Sequence, residues 1–514
     1  MKRETVTEGH FRKQVVQYDP EILLQMCNRA SINLYKQGKS IVTATWPSRV
    51  GPFIRRQNVH ITQHKLALLA MIILQNYRWA HASQPSLEEF IILANNVSNI
   101  ESPIEKHKLN SEEELTSTLV RLTYQQFPFQ EEVYHTLPRH LLLYLDTHVA
   151  YPMIDPDAAL LKKTGLSIKD FMTIGIAFYA ASLEHSTFDR KFIENTPIAS
   201  LQPYVKPEKV TAFLSVVAAD FAAFRNLCLQ EVQQFPKAGL YRFNPLFDRP
   251  IIICKGGLLC VPVPLLLLYV VTKGLYYDFL DGFSGDNGNL FSEWFGHAFE
   301  QYGGLLLRDA FGCGNVFEEP VYGKPQRAGP DWTVTQGNTA IIFEFRSGRL
   351  NKRAKTYGDY EEIIKLLERN VLETLKKISI KIKDLRSGAT GISLSGVTEY
   401  IPCVVTYEPL YSHELFLDVI TRELHSENVP EFDFELMSIE DLEWLLAWAA
   451  YEEPVEFIQK KLANPEWKVM STRRLIGEKT AEKGVNKLYN RLLEETINEY
   501  YREIAPALFE AAED

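Results

Sequence analysis

The chain has 514 residues, 46% hydrophobic and 23% charged, with a formal net charge of −10. That length exceeds what one core supports and predicts two or three domains, in the composition of an ordinary globular protein. The charge excludes a surface that is basic throughout, though not a local basic strip able to engage phosphates.

The opening MKRETVTEGHFRK has no apolar stretch and does not read as a signal peptide. Cys27, Cys228, Cys254, Cys260, Cys313 and Cys403 form no CxxC pair, so neither a zinc site nor a disulfide framework is indicated. Both features point to a cytoplasmic protein. Residues 1–235 read as a mostly helical domain, with long apolar segments at HKLALLAMIILQNYRWA and KVTAFLSVVAADFAAFRNLCLQEV. Its role stays open among sensor, specificity module and homo-oligomer surface. His60 and His64 have helical i, i+4 spacing but no HExxH motif or third ligand, and read as structural.

Residues 236–287 read as a connector. RPIIICKGGLLCVPVP holds two apolar runs around Lys255-Gly256-Gly257, a hairpin pattern. LLCVPVPLLLLYVV, residues 258–271, contains two prolines and falls short of the about 20 residues a spanning helix needs. It is expected to be a buried strand running into a buried helix, with no membrane partner. DGFSGDNGN, residues 281–289, has the Gly-rich acidic character of a domain boundary.

Residues 288–410 follow a definite order. LFSEWFGHAFEQYGGLLLRDAF is a helix with Asn289 or Ser292 as its cap. NVFEEPVY is a strand, and DWTV and TAIIFEFRS are strands joined through the turn TQGN. YEEIIKLLERNVLETLKKISIKIKDL is one long helix, and YIPCVVTYEPL a buried strand. The predicted fold is thus multidomain: a helical N-terminal region, an α/β core of mixed sheet flanked by helices, and a mainly helical extension over 411–514. In that extension FELMS is a strand whose Ser438 caps the next helix through Asp441.

The chemistry concentrates in GPDWTVTQGNTAIIFEFRSGR, residues 329–349. Residues two apart on a strand share a face, so Glu344 and Arg346 point one way and Phe343 and Phe345 the other. Pairing through TQGN brings Asp331 toward Glu344. Two converging carboxylates suit a hard cation such as Mg²⁺, which polarises a phosphodiester and generates hydroxide near neutral pH. The plainer readings make Asp331 a turn residue after Pro330, and Glu344 and Arg346 the water-facing side of a half-exposed strand.

Pro330-Asp331 before one strand, Glu344-Phe345-Arg346 in the next, and the surrounding order of elements resemble the PD-(D/E)xK nuclease superfamily, the restriction-endonuclease-like fold, over residues 288–410. The resemblance implies a metal-dependent nuclease acting on nucleic acid, DNA in the first place, in bacterial restriction, repair or anti-phage defence. It implies Asp331 and Glu344 as ligands of Mg²⁺ or Mn²⁺, with Glu300 of the preceding helix as an assisting acid. Glu300 and Glu293 also fit a solvated helix face opposite the stripe Phe291, Trp294, Phe295, Ala298 and Tyr302. Arg346 stands where the superfamily usually has lysine. A guanidinium can clamp phosphate or orient water but cannot act as a base. Some members place the lysine on the following helix, for which Lys352 and Lys355 are the nearby choices.

Between Arg346 and Arg386 there are 12 basic against 6 acidic residues. Arg349, Lys352, Arg353 and Lys355 are expected to contact nucleic acid, since phosphate contacts carry much of such affinity. The later part, with Glu361, Glu362, Lys365, Glu368 and Arg369, reads as a salt-bridged helix surface. The alternatives to a nuclease are a catalytically inactive nucleic-acid-binding scaffold and an enzyme acting on a small phosphate ester. No P-loop and no GxSxG is present.

Overall fold

The structure is a computed structural model. It describes residues 7–36, 60–80, 82–97, 100, 111–130, 133–147, 154–236, 238–282, 288–324, 326–410, 413–426, 433–485, 488–504 and 506. The chain is mixed α/β, with helices forming most of the N-terminal part and the C-terminal extension. Most of the predicted boundary 281–289 lies outside the described residues.

KVTAFLSVVAADFAAF is two helices, Pro207–Val217 and Phe221–Gln234, separated by a short strand, Ala218–Asp220. Asp220 caps the second helix by accepting from the Ala223 amide. The strand pairs in parallel with Ile251–Ile253, which pairs antiparallel with Leu259–Cys260 as the predicted hairpin. Leu265–Val270 follows as a buried helix. Among the described residues no single helix is long and apolar enough to cross a membrane; Pro156–Thr164 and Ile168–Glu184 qualify only as a pair, bent by 64°.

The site is built on a second sheet. Its strands are β1 (Val316–Glu318), β4 (Trp332–Gln336), β5 (Thr339–Arg346), β6 (Glu399–Thr406) and β7 (Glu435–Ser438). Their spatial order is β7-β6-β5-β4-β1, parallel across β7-β6-β5 and antiparallel across β5-β4-β1. Strands β4 and β5 meet through a tight turn in which Gln336 pairs with Thr339 and Gly337 takes a φ of 61°. NVFEEPVY, predicted as one strand, divides at Pro320 into β1 and a separate strand β2 (Val321–Tyr322), which pairs with β3 (Arg327–Ala328) as an outlying hairpin. Proline lacks the amide donor that would continue the ladder.

Helices cover both faces of this sheet. Helix α2 (Gly288–Phe311) lies on one, packed against Phe345 through Phe299. The expected caps Asn289 and Ser292 fall inside α2 rather than before it. The other face carries the predicted long helix, continuous but interrupted by a π-turn at Glu368–Leu372 between Tyr360–Leu367 and α3 (Glu373–Arg386). Helix α4 (Ile439–Trp448) starts at Ser438, which forms the predicted capping box with Asp441.

The alternation of β5 sorts the two interiors. Ile341, Phe343 and Phe345 join a cluster that includes Phe171, Phe178 and Phe213 from the N-terminal helices and Leu493 and Tyr500 from the last helix. Ala340 and Ile342 join another with Leu375 and Ile378 of α3 and Phe416 and Ile420. A third holds described residues between Phe11 and Ile100 against the three-stranded sheet. Helix α1 (Val133–Leu141) belongs by sequence to the N-terminal part, yet its Leu137 and Leu141 share the first cluster with the core.

Candidate active site

The register of β4 on β5 pairs Trp332 with Phe343, so one step further Asp331 stands opposite Glu344. Both acids are out of water: Glu344 is 0% and Asp331 7% exposed. This removes the reading of Glu344 as a water-facing strand residue. It also departs from a simple turn role for Asp331, whose Oδ2 accepts from the Phe345 amide at 2.8 Å.

Arg346 joins the two acids. Its Nη2 donates to Glu344 Oε2 at 2.5 Å and its Nη1 to Asp331 Oδ2 at 3.2 Å. Its Nε donates to Thr374 Oγ1 of α3 at 2.8 Å, and Nη1 also to the Phe345 carbonyl at 2.7 Å. Both carboxylates therefore converge on the terminal nitrogens of one planar fork, held from three directions.

A second cation reaches Glu344 from an unforeseen direction. Lys381 of α3 donates to Glu344 Oε1 at 2.5 Å. It comes from beyond the π-turn, and neither Lys352 nor Lys355 takes this place. The signal in the sequence was faint: Thr374, Leu375, Ile378 and Leu385 form the buried stripe of α3, and Lys381 interrupts it at i+7 from Thr374. Two cations on one buried carboxylate offset a desolvation cost that an unpaired charge would not survive.

Glu300 and Glu319 complete an acidic neighbourhood. Trp332 donates its indole N–H to the Glu300 carbonyl at 2.9 Å, fixing this turn of α2 against β4. The close approach depends on two glycines: a Cβ on Gly303 would lie 2.2 Å from the Phe345 ring, and one on Gly304 2.1 Å from the Trp332 ring. Burial, then the charges of Asp331, Glu319 and Glu344, push the Glu300 carboxyl up to about 8. Burial and Asp331 likewise raise Glu319, against the opposing pull of Lys381 and His297. Glu344 is raised to about 7 by burial and then Asp331, with Lys381 and Arg346 pulling it down. Glu300 is thus no freely solvated helix residue; its side chain is 18% exposed, with His297 Nδ1 at 3.9 Å. Glu319 was not foreseen, hidden in what looked like a plain strand.

The predicted basic strip is corrected at Arg349 and Lys355, which are enclosed. The Nε and Nη2 of Arg349 are shielded from solvent, its guanidinium stacked 3.5 Å from the Tyr276 ring centre and 4.1 Å from that of Tyr407. Lys355 donates to Glu408 at 2.6 Å and to the Tyr277 hydroxyl at 3.2 Å. Lys352 pairs with Glu231 of the N-terminal helices and lies over the Phe243 ring. Only Arg353 is largely exposed, at 69%, and it pairs with Asp359. The segment after β5 therefore bonds the core to its neighbours, the cations satisfying buried acids and aromatic rings.

Among the described residues no group of three or more His, Cys, Asp or Glu side chains is arranged to hold a metal ion. The pair Asp331 and Glu344 fits the sparer demand of Mg²⁺, which takes one or two carboxylates and fills the rest of its shell with water and substrate phosphate. Their oxygens are hard donors, and they already meet around a single cationic group. Compared with family models, curated proteins and solved structures, the chain finds no match.

Proposed function

We propose that the chain is a metal-dependent nuclease of the PD-(D/E)xK kind, with a restriction-endonuclease-like core over residues 288–410 and DNA as its substrate. The observation that carries this reading is the meeting of Asp331, Glu344, Arg346 and Lys381 at one point, on the two strands and the flanking helix. Asp331 and Glu344 would hold Mg²⁺ or Mn²⁺. Such an ion, when bound, supplies Lewis-acid polarisation of the phosphodiester and a lowered pKa for coordinated water.

The chain's own groups do the rest. Lys381, which reaches the buried Glu344 from α3, takes the place of the motif's usual lysine and orients the attacking water or the scissile phosphate. Arg346, held by Thr374, contacts the phosphate and stabilises charge that develops there. As water's oxygen bonds to phosphorus and releases a proton to the surrounding solvent, the bond to the leaving sugar oxygen breaks and that oxygen takes up a proton. Glu300 keeps a proton to about pH 8 and is a nearby source of one.

A second reading, a nuclease-like scaffold that binds without cutting, draws on one observation: Arg346 already occupies both carboxylates. Incubation of the protein with DNA and RNA in Mg²⁺ or Mn²⁺ separates the two. The nuclease reading expects cleavage that is lost in Asp331→Ala and Glu344→Ala and falls in Lys381→Ala. Cleavage surviving in both acid variants sinks the site; binding of nucleic acid without cleavage in either metal selects the scaffold.

A further inference from the structure

Two of the four predicted phosphate-binding cations, Arg349 and Lys355, turn inward, which raises the question of which surface beside the acids stays open. Among the described residues the two most exposed large apolar side chains are Val321, at 65%, and Ile380, at 53%. Both lie beside this site. Val321 belongs to the β2–β3 hairpin, which is spliced between β1 and Asp331 with only Gly329 and Pro330 after it. Ile380 is the immediate neighbour of Lys381 on α3.

The hairpin is docked on that helix. Tyr322 donates its hydroxyl to Asp384 at 2.7 Å, and its cross-strand partner Arg327 lies 3.7 Å from the same carboxylate. Lys377, Ile380, Lys381 and Asp384 follow at i, i+3, i+4 and i+7, so they share one side of α3. The opposite face of the hairpin, Val321 with Ala328, is left to solvent. Cations border these apolar groups: Lys324 and Lys377 are exposed, and Arg327 is 60% exposed. The hairpin segment 320–328 and α3 together carry seven basic residues and two acidic ones, in a chain of net charge −10.

We infer that the β2–β3 hairpin and the exposed side of α3 form the rim that grips duplex nucleic acid next to the acid pair. Lys324, Arg327 and Lys377 contact phosphates flanking the scissile one. Val321 and Ile380 rest on sugar and base edges, the combination of cation and aliphatic wedge that suits a minor groove. The basic rim is complementary to a phosphate backbone, and its place beside the acid pair makes nucleic acid its occupant. The inference rests on the nuclease reading for its placement but not for its test.

That test measures binding of a fluorescein-labelled DNA duplex by anisotropy, at several salt concentrations, in the full chain carrying Asp331→Ala so that no cutting intervenes. Lys324→Ala/Arg327→Ala is expected to weaken binding about tenfold or more and to lower the log–log salt slope by about 1.8, at roughly 0.9 for each phosphate no longer neutralised. Val321→Ser/Ile380→Ser is expected to weaken binding several-fold at an unchanged slope. Lys460→Ala, on a remote helix, is the control expected to change neither. Thermal melts establish that these surface variants stay folded. Affinity and slope unchanged in the hairpin variant, or no duplex binding by the parent, overturn the rim. If the wild type cuts DNA while the rim variants bind as the parent does, the rim fails and the catalytic reading stands. Rim variants that lose binding in a chain that never cuts keep the rim and sink the nuclease.

Discussion

Glu344 carries three demands at once: it is fully buried, it faces Asp331, and it is bonded by both Arg346 and Lys381. Such a residue is costly to fold around, and the cost shows in its protonation. The Glu344 and Glu300 carboxyls are raised from the ordinary 4.5 to about 7 and about 8, first by burial and then by neighbouring acids. The folded chain thus holds these protons more tightly than the unfolded chain. Their stabilising contribution is complete below pH 4.5 and is lost as pH rises through 7 and 8. The melting temperature of the metal-free protein should therefore fall between pH 6 and pH 9, by an amount that Glu300→Gln reduces. A melting temperature that rises over that range, or an unaltered profile in Glu300→Gln, would contradict the burial of these acids.

At the scale of elements, the β4–β5 hairpin was the most legible part. Its turn residues, alternation and the spacing of Asp331 from Glu344 all derive from local rules that sequence displays directly. The Ser438 cap was legible for the same reason. What failed were features decided by distant partners. Nothing near Arg349 or Lys355 announces that Tyr276, Tyr407 and Glu408 will enclose them. The approach of α2 through Gly303 and Gly304 likewise shows only once Phe345 and Trp332 lie beneath them. Lys381 lies between these extremes, visible as a break in an apolar stripe but assignable only after α3 is laid on the sheet. Short strands such as Ala218–Asp220 are lost because apolar runs of that kind continue the helical pattern around them.

At the scale of the whole molecule, the helical regions do more than surround the core. Arg139 of α1 is 1% exposed and grips Glu443 of α4 with two bonds of 2.6 Å, while the Tyr302 hydroxyl of α2 donates to the same carboxylate at 2.7 Å. Lys273 and Arg473 both bond the neighbouring Glu440. One polar knot thereby ties the N-terminal region, the helix bearing Glu300 and the C-terminal extension. Removing one partner strands the other in the interior, so Arg139→Ala should cost about 3–5 kcal/mol. Chemical denaturation would show this as a lower midpoint, and a change below about 1 kcal/mol would mean the knot is solvated and contributes little.

These scales meet in the claim that Asp331 and Glu344 form a cation site opposed by their own arginine. Titration of Mn²⁺ into the protein at pH 8, followed by the loss of the free-ion paramagnetic resonance signal, reads that claim without reference to cleavage. Saturable binding is predicted in the wild type, abolished in Asp331→Ala and Glu344→Ala and tightened in Arg346→Ala, where the competing guanidinium is gone. Equal binding in all four proteins, or no saturable binding in the wild type, would contradict it.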